Sequence, residues 1–192
     1  MAAKGKWAQG IPPRNFSWIM KDRLAVAERP GGYGANHRRV RRQEEIIWVR
    51  EQGFTCVISI IPAPHNLHNY DELGVAWRHR GFDNTEEPTE YLAAFYPELQ
   101  QLLGSGEKLL LHADNLDDVV CGLVTGYLVW SGMVPREPEA VTLVERMVKR
   151  QLGPYGRELV HAAASLAASR RQSSDALADA RPAAADGDSA AD

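Results

Sequence analysis

The 192-residue sequence predicts an α/β domain with a central, mostly parallel sheet of four to five strands flanked by helices. Short apolar runs rich in β-branched residues, such as residues 55–61, are typical of buried strands. Longer amphipathic or apolar segments alternate with these runs, as crossover helices do in parallel sheets. The 44% hydrophobic content and five Trp are enough to build one core.

Composition narrows the class of protein. A formal net charge of −3 indicates neither nucleic acid nor a membrane surface as the partner of the whole chain. Both cysteines, Cys56 and Cys121, lie in apolar runs, which argues against a disulfide framework or a thiolate metal site and favours a reducing compartment. No run approaches the ~18 to 20 apolar residues of a membrane span. We therefore expect a cytoplasmic protein without cofactor, metal or membrane contact.

The domain begins after a flexible N-terminal arm. The small, basic and Pro-containing residues 1–13 form this arm, and the domain extends over residues 14–168. Segments 15–20 and 23–27, separated by a polar turn, predict an opening hairpin. Residues 169–192 contain almost no large apolar side chain, so they predict a disordered tail.

A basic run precedes the first helix, which the apolar spacing predicts over residues 43–53. The pattern places the four arginines of this run on the exposed first turns of the helix. These arginines either form a solvated helix face or bind an acidic or phosphorylated partner. These arginines are Arg38, Arg39, Arg41 and Arg42. The strand at residues 55–61 follows, is closed by two prolines, and is predicted to be central.

The next elements alternate again. Residues 62–74 predict a polar loop, in which His65 and His68 are either surface residues or part of a metal site. A strand at 75–82, an acidic loop at 83–88 and a helix at 89–103 follow. Thr89 is its expected N-cap, and Pro97 predicts a kink or a break. A strand at 108–112 and helices at 119–130, 138–152 and 155–168 complete the domain.

The turn between the strand at 108–112 and the buried helix at 119–130 is the most informative segment. A strand that enters a tight loop at a helix N-terminus is a common anion-binding arrangement, because free backbone N–H groups point into the loop. This loop instead carries three carboxylates, on Asp114, Asp117 and Asp118, together with Asn115.

Over residues 15–160 the chain resembles the dual-specificity branch of the protein tyrosine phosphatase superfamily. The resemblance rests on the opening segment from Phe16, on the acidic loop after Phe82, and on the strand, His112, tight loop and helix that follow the spacing of the family's phosphate-binding loop. It implies a phosphatase fold and places Asp83 at the position of the general acid.

The family's loop reads His, Cys, five residues, Arg, then Ser or Thr. Aligned without a gap, the resemblance puts Ala113 at the nucleophile, Val119 at the arginine and Val120 at the hydroxyl position, and only His112 is retained. The degenerate loop therefore comprises His112, Ala113, Asp114, Asn115, Leu116, Asp117, Asp118, Val119 and Val120.

Two functions remain open at this point. The first is an inactive, dual-specificity-phosphatase-like protein, a pseudophosphatase, that acts by binding an unidentified protein or ligand. The second is a phosphatase with a relocated or metal-assisted mechanism, although neither cysteine has an arginine six residues further on. The loop carboxylates either cap the helix or, with Asn115, bind a cation or an Arg- or Lys-bearing partner.

Overall fold

The computed structural model describes residues 9–83 and 87–179 of the chain. The strands are β1 (Ser17–Met20), β2 (Leu24–Glu28), β3 (Cys56–Ser59), β4 (Trp77–His79) and β5 (Leu109–Ala113). The helices are α1 (Arg39–Glu51), α2 (His68–Glu72), α3 (Pro88–Gly104), α4 (Asp118–Trp130), α5 (Glu137–Val148) and α6 (Pro154–Asp179), with a short 3-10 turn at Gly34–Asn36.

The five strands form one sheet in the order β1-β2-β5-β3-β4. β1 pairs with β2 in the antiparallel sense, and the other pairs are parallel. The mostly parallel α/β sheet and the opening hairpin predicted from the sequence are confirmed. β5 lies at the centre, so the loop that follows Ala113 opens in the middle of the carboxyl edge, where α/β sheets commonly build their sites.

The two faces of β5 pack against different helices. Leu109 and Leu111 are fully buried in the larger core, which includes residues of α3, α4, α5 and α6. Leu110 is fully buried in the smaller core, with residues of α1 and α2. Since side chains alternate along a strand, His112 points to the same face as Leu110, and its ring lies 5.9 Å from that of Tyr70.

α4 is the helix most enclosed by the rest of the protein. All of its residues from Val120 to Trp130 are buried, as its continuous apolar sequence predicted. Two glycines allow α6 to approach closely: a Cβ on Gly122 would lie 2.9 Å from the Cα of Gly156, and one on Gly126 would lie 2.9 Å from the Cβ of Ala163. The loop before α4 is therefore supported by a closely packed helix pair.

Several predicted boundaries were wrong. α1 begins at Arg39 rather than at residue 43, and the short helix α2 lies within the segment predicted to be only a loop. Thr89 is not the N-cap of α3, because the helix begins at Pro88 and Glu87 precedes it without a side-chain cap. Proline's fixed φ suits a first helical turn. α3 continues without a break through Pro97, because its apolar face packs on the core.

The ends of the chain also differ from the prediction. α6 continues to Asp179, beyond the boundary expected at residue 168. Alanine-rich sequence favours this helix, and the Arg170 guanidinium lies 4.1 Å from the Trp130 ring centroid. Within the predicted N-terminal arm, the amide of Ile11 donates to the Glu44 carbonyl at 3.3 Å. Residues 1–8 of the arm, 84–86 of the acidic loop and 180–192 of the tail lie outside the described residues.

No helix in the described ranges is both long and apolar enough to cross a membrane.

Replacing Gly122 by Ala tests the α4–α6 contact. The added methyl would lie 2.9 Å from backbone atoms of Gly156, which cannot move without shifting α6. We expect a loss of about 1–3 kcal/mol in the free energy of unfolding, the range for overpacked sites. This exceeds the gain of up to about 1 kcal/mol from alanine's helix propensity. Gly104→Ala in α3 is the matched control, since its Cβ would meet open space.

Urea unfolding of both variants measures the difference. Gly104→Ala should be as stable as the parent or slightly more stable. Equal stabilities for the two variants would show that α6 does not contact α4 as closely as described.

Candidate functional site

A cleft with a volume of about 340 Å³ lies at the carboxyl edge of the sheet. Apolar residues that follow β3 and β4 form one part of it, and the β5–α4 loop forms another. The residues that line it are Tyr33, Ile60, Ile61, Pro62, Phe82, Asp83, Ala113, Asp114, Asn115, Asp117 and Val119. The cleft thus combines an apolar surface with carboxylates from two loops.

Asp117 determines what the start of α4 can bind. Its backbone is extended, and its carboxylate accepts hydrogen bonds from the amides of Val119 at 3.0 Å and Val120 at 3.3 Å. These are the orphan donors that a helix N-terminus would otherwise offer to an anion. The aspartate at the N-cap therefore occupies the anion-binding groups of α4 with a side chain of the same protein.

Asp118 points away from the cleft. Its Oδ1 lies 3.0 Å from Arg150 Nη2 and accepts from the amide of Gly153 at 3.0 Å. Arg150 also donates to the carbonyl of Leu116. These contacts join the end of the loop to the segment between α5 and α6. Asp118 is consequently absent from the cleft lining, whereas Asp114, Asn115 and Asp117 belong to it.

The first half of the loop is held by the segment after β2. Arg29 Nε lies 3.1 Å from Asp114 Oδ1, and the amide of Arg29 donates to the Ala113 carbonyl at 2.7 Å. Asn115 Nδ2 donates to the Tyr33 hydroxyl at 3.1 Å. The side chain of Asp114 remains 39% exposed, so it can also face a ligand.

His112, the one retained residue of the family pattern, is fully buried behind the loop. Burial, with smaller contributions from the charges of Arg29 and His79, lowers its pKa from an ordinary 6.5 to about 3. The imidazole is therefore neutral near pH 7. It faces the smaller core and does not line the cleft.

Neither cysteine reaches the cleft. Cys56 lies in β3 and Cys121 in α4, and both are buried free thiols. Burial raises the pKa of Cys56, and it raises that of Cys121 to about 11. Both thiols are therefore protonated and unreactive near neutral pH. None of the described residues that line the cleft is Cys, Ser, Thr, Lys or Arg.

The basic run at residues 37–42 does not form one exposed face, so that prediction was wrong. Arg38 and Arg39 are exposed, but Arg42 is 8% exposed. Arg41 pairs with the buried carboxylate of Glu45 at 2.6 Å. The run lies apart from the cleft, because none of its residues belongs to the cleft lining. Helical periodicity turns Arg42 inward, towards the segment after β2 and towards α2.

No group of three or more His, Cys, Asp or Glu side chains that could hold a metal occurs among residues 9–83 and 87–179. His68 Nε2 lies 3.3 Å from Asn69 Nδ2, and His65 lines a smaller cavity.

Sequence reasoning missed the part of the cleft formed by Tyr33 and residues 60–62. The available signal was topological, since carboxyl ends of neighbouring parallel strands meet at one edge.

Comparison with solved structures shows that the chain has the protein tyrosine phosphatase fold. Kinase associated phosphatase, with its catalytic cysteine replaced by serine, is similar with a TM-score of 0.67 and 17% identity over 81% of this chain and 97% of that chain. The active form of Tk-PTP is similar with a TM-score of 0.62 and 18% sequence identity, over 79% of this chain and 97% of that chain. A human tyrosine phosphatase-like serine/threonine/tyrosine-interacting protein is similar with a TM-score of 0.54 and 14% sequence identity, over 86% of this chain and 98% of that chain.

These likenesses confirm the phosphatase fold that the resemblance implied. No family model matches the sequence, and no curated protein does.

Removing the cap at Asp117 should destabilise the loop. Asp117→Ala leaves the amides of Val119 and Val120 without their acceptor, so we expect a loss of about 0.5–2 kcal/mol in the free energy of unfolding. Asp117→Ser keeps a capping oxygen and serves as the matched control, with most of the stability retained. Urea unfolding of both variants measures the effect. Equal losses in the two variants would contradict the capping role.

Proposed function

We propose that this protein is a pseudophosphatase, a phosphatase-fold protein that does not hydrolyse phosphoesters and acts by binding a protein partner through the cleft. The observation that carries the proposal is the composition of the β5–α4 loop. Ala113 stands at the position that matches the family's nucleophile, and Val119 stands at the position that matches its arginine.

The chemistry of these side chains supports inactivity. The methyl group of Ala113 cannot attack phosphorus, so the covalent phosphoenzyme of the family cannot form there. Val119 cannot donate the paired N–H groups with which a guanidinium holds phosphate. Asp83 lines the cleft, and the resemblance matches it to the general acid, but an acid without a nucleophile has no leaving group to protonate.

Charge supports the same conclusion. A phosphate in the cleft would meet the carboxylates of Asp83, Asp114 and Asp117, which line it. Like charges about 4 Å apart cost on the order of 1–4 kcal/mol each, depending on screening. Asp117 also takes the helix amides that would offset this repulsion. The cleft is therefore poorly suited to an oxyanion.

The same features favour a cationic partner segment. Tyr33, Pro62 and Val119, the less buried apolar residues of the lining, offer an apolar surface beside Asp83 and Asp114. A Lys or Arg side chain buries its aliphatic stem on such a surface and brings its charge to the carboxylates. We propose a partner segment with a basic residue flanked by apolar ones.

Two further features support a role in protein binding. Arg38 and Arg39 are exposed and could form a second contact with an acidic part of the partner. The similar human protein is described as phosphatase-like and as an interacting protein. The free buried cysteines suit a reducing, cytoplasmic location, which is part of the proposal.

The test is hydrolysis of a generic aryl phosphate by the purified full-length chain, with and without Mg²⁺, Mn²⁺ or Ca²⁺. We expect no turnover above that of buffer in any of these conditions, because Ala113 cannot act as the family's nucleophile and none of the described cleft residues is an arginine that could hold phosphate. Asp83→Ala and Asp114→Ala should behave like the parent protein. An active phosphatase of the same fold is the positive control for the assay.

The two variants also separate this protein from a contaminant. Turnover that disappears in Asp83→Ala or Asp114→Ala would belong to the chain and would overturn the proposal. Turnover that additionally requires a divalent cation would support the metal-assisted alternative.

A further inference from the structure

A second, smaller cavity lies behind the β5–α4 loop, on the side of the sheet covered by α1 and α2. Its volume is about 10 Å³. The cavity is bordered by apolar groups, among them Pro30 and Leu67, and by six polar residues, which are Arg29, Arg42, His65, Asn66, Tyr70 and His112. None of its lining residues belongs to the cleft described above.

Several buried polar atoms of this cavity, including both ring nitrogens of His112, have no hydrogen-bond partner within the described protein. Arg42 is 8% exposed, and its Nε and Nη1 are buried without a hydrogen-bond partner there. Tyr70 is 3% exposed, and its hydroxyl is also buried without a hydrogen-bond partner. A buried donor left without an acceptor costs about 1–3 kcal/mol, and more when it is charged. Such a group calls for an acceptor in the cavity.

The nearby carboxylates are engaged elsewhere. Asp114 lies against Arg29 at 3.1 Å. Glu45 is 1% exposed, and its two oxygens accept from Arg41 Nε and from the amide of Gly31, each at 2.6 Å. Arg42 has no carboxylate within ion-pair distance among the residues that the structure describes.

Charges at longer range do not offset the effect of burial on Arg42. Burial and the neighbouring Arg39 and Arg29 lower the pKa of Arg42, while Glu72 and Tyr70 raise it less than burial lowers it. His112, neutral near pH 7, adds no charge. The cavity therefore borders a largely buried guanidinium whose Nε and Nη1 have no hydrogen-bond partner, and which has no carboxylate within ion-pair distance among the described residues; this is an unfavourable arrangement for a protein interior.

We propose that this cavity binds a small monovalent inorganic anion of the halide class, chloride in the first instance, with Arg42 Nε and Nη1 and the Tyr70 hydroxyl as its donors. The volume suits one particle close in size to a water molecule, so a phosphate does not fit. A water molecule could accept the hydrogen bonds but would leave the charge of Arg42 uncompensated. A halide supplies both acceptor capacity and charge.

The site would connect α1 and α2 to the loop at the cleft. Arg42 belongs to α1 and Tyr70 to α2, and both approach His112 at the end of β5. Arg29 lines the cavity and also contacts Asp114 in the cleft. An anion bound here would stabilise the packing that positions the loop, whatever the cleft itself binds. The inference is therefore independent of the proposed function.

The first experiment compares thermal unfolding of the full-length chain in sodium chloride, sodium bromide and sodium gluconate at equal ionic strength. Chloride and bromide should raise Tm by about 2–4 °C over gluconate, with saturation, because a ligand of the native state stabilises it by mass action. Arg42→Met should lose this difference. Arg50→Met, which removes an exposed arginine from the far end of the same helix, should keep it.

Two further measurements keep the proposal testable if Arg42→Met does not fold. Tyr70→Phe removes one donor and should raise the chloride concentration at half-saturation several-fold. Crystals of the parent protein grown in bromide should show anomalous density within hydrogen-bond reach of Arg42 and Tyr70. Equal Tm in halide and gluconate, a halide shift retained in Arg42→Met or unchanged in Tyr70→Phe, or density of water alone in the bromide crystal would each overturn the proposal.

Discussion

The backbone amides at the first turn of α4 govern the chemistry of the cleft, because a helix N-terminus at the edge of a parallel sheet is an anion site unless something else satisfies it. Here Asp117 does so, through hydrogen bonds from Val119 and Val120. The carboxylate brings a negative charge to the place where the fold otherwise concentrates positive potential. The cleft therefore presents this carboxylate, with those of Asp83 and Asp114, beside its apolar lining.

The scaffold around this loop owes its packing to residues outside the cleft. β5 occupies the centre of the sheet and α4 is enclosed by neighbouring elements, so both are retained by the burial of apolar side chains. Arg29 at one end of the loop and Arg150 at the other hold it through Asp114 and Asp118. Stability and chemistry depend on different residues here, so the packing of β5 and α4 does not depend on which side chains line the cleft.

Much of the fold could be predicted because its signals are local. The β-branched run of β3, the hairpin of β1 and β2 and the apolar sequence of α4 each reveal an element within one window of sequence. The composition of the loop could likewise be compared with the family's spacing one residue at a time. These predictions required no knowledge of which segments meet.

The remaining features depend on contacts between distant segments. Burial of Arg42 follows from how α1 packs against α2 and the segment after β2, so a run of basic residues gives no sign of it. The pairing of Asp118 with Arg150 and the stacking of Arg170 on Trp130 join residues far apart in sequence. The pairing with Arg150 keeps the Asp118 carboxylate out of the cleft. The contact of Arg170 with Trp130 accompanies the extension of α6 beyond its predicted end. Tertiary packing, rather than local propensity, decided each of these outcomes.

We propose that the β5–α4 loop does not hold a phosphate-like oxyanion. Isothermal titration calorimetry with orthovanadate, at constant chloride concentration, measures this property. We expect no saturable binding of vanadate by the full-length chain, whereas an active phosphatase of the same fold should bind it under identical conditions. Saturable binding that phosphate competes away and that Asp114→Asn strengthens would place an oxyanion in the cleft and would contradict the claim.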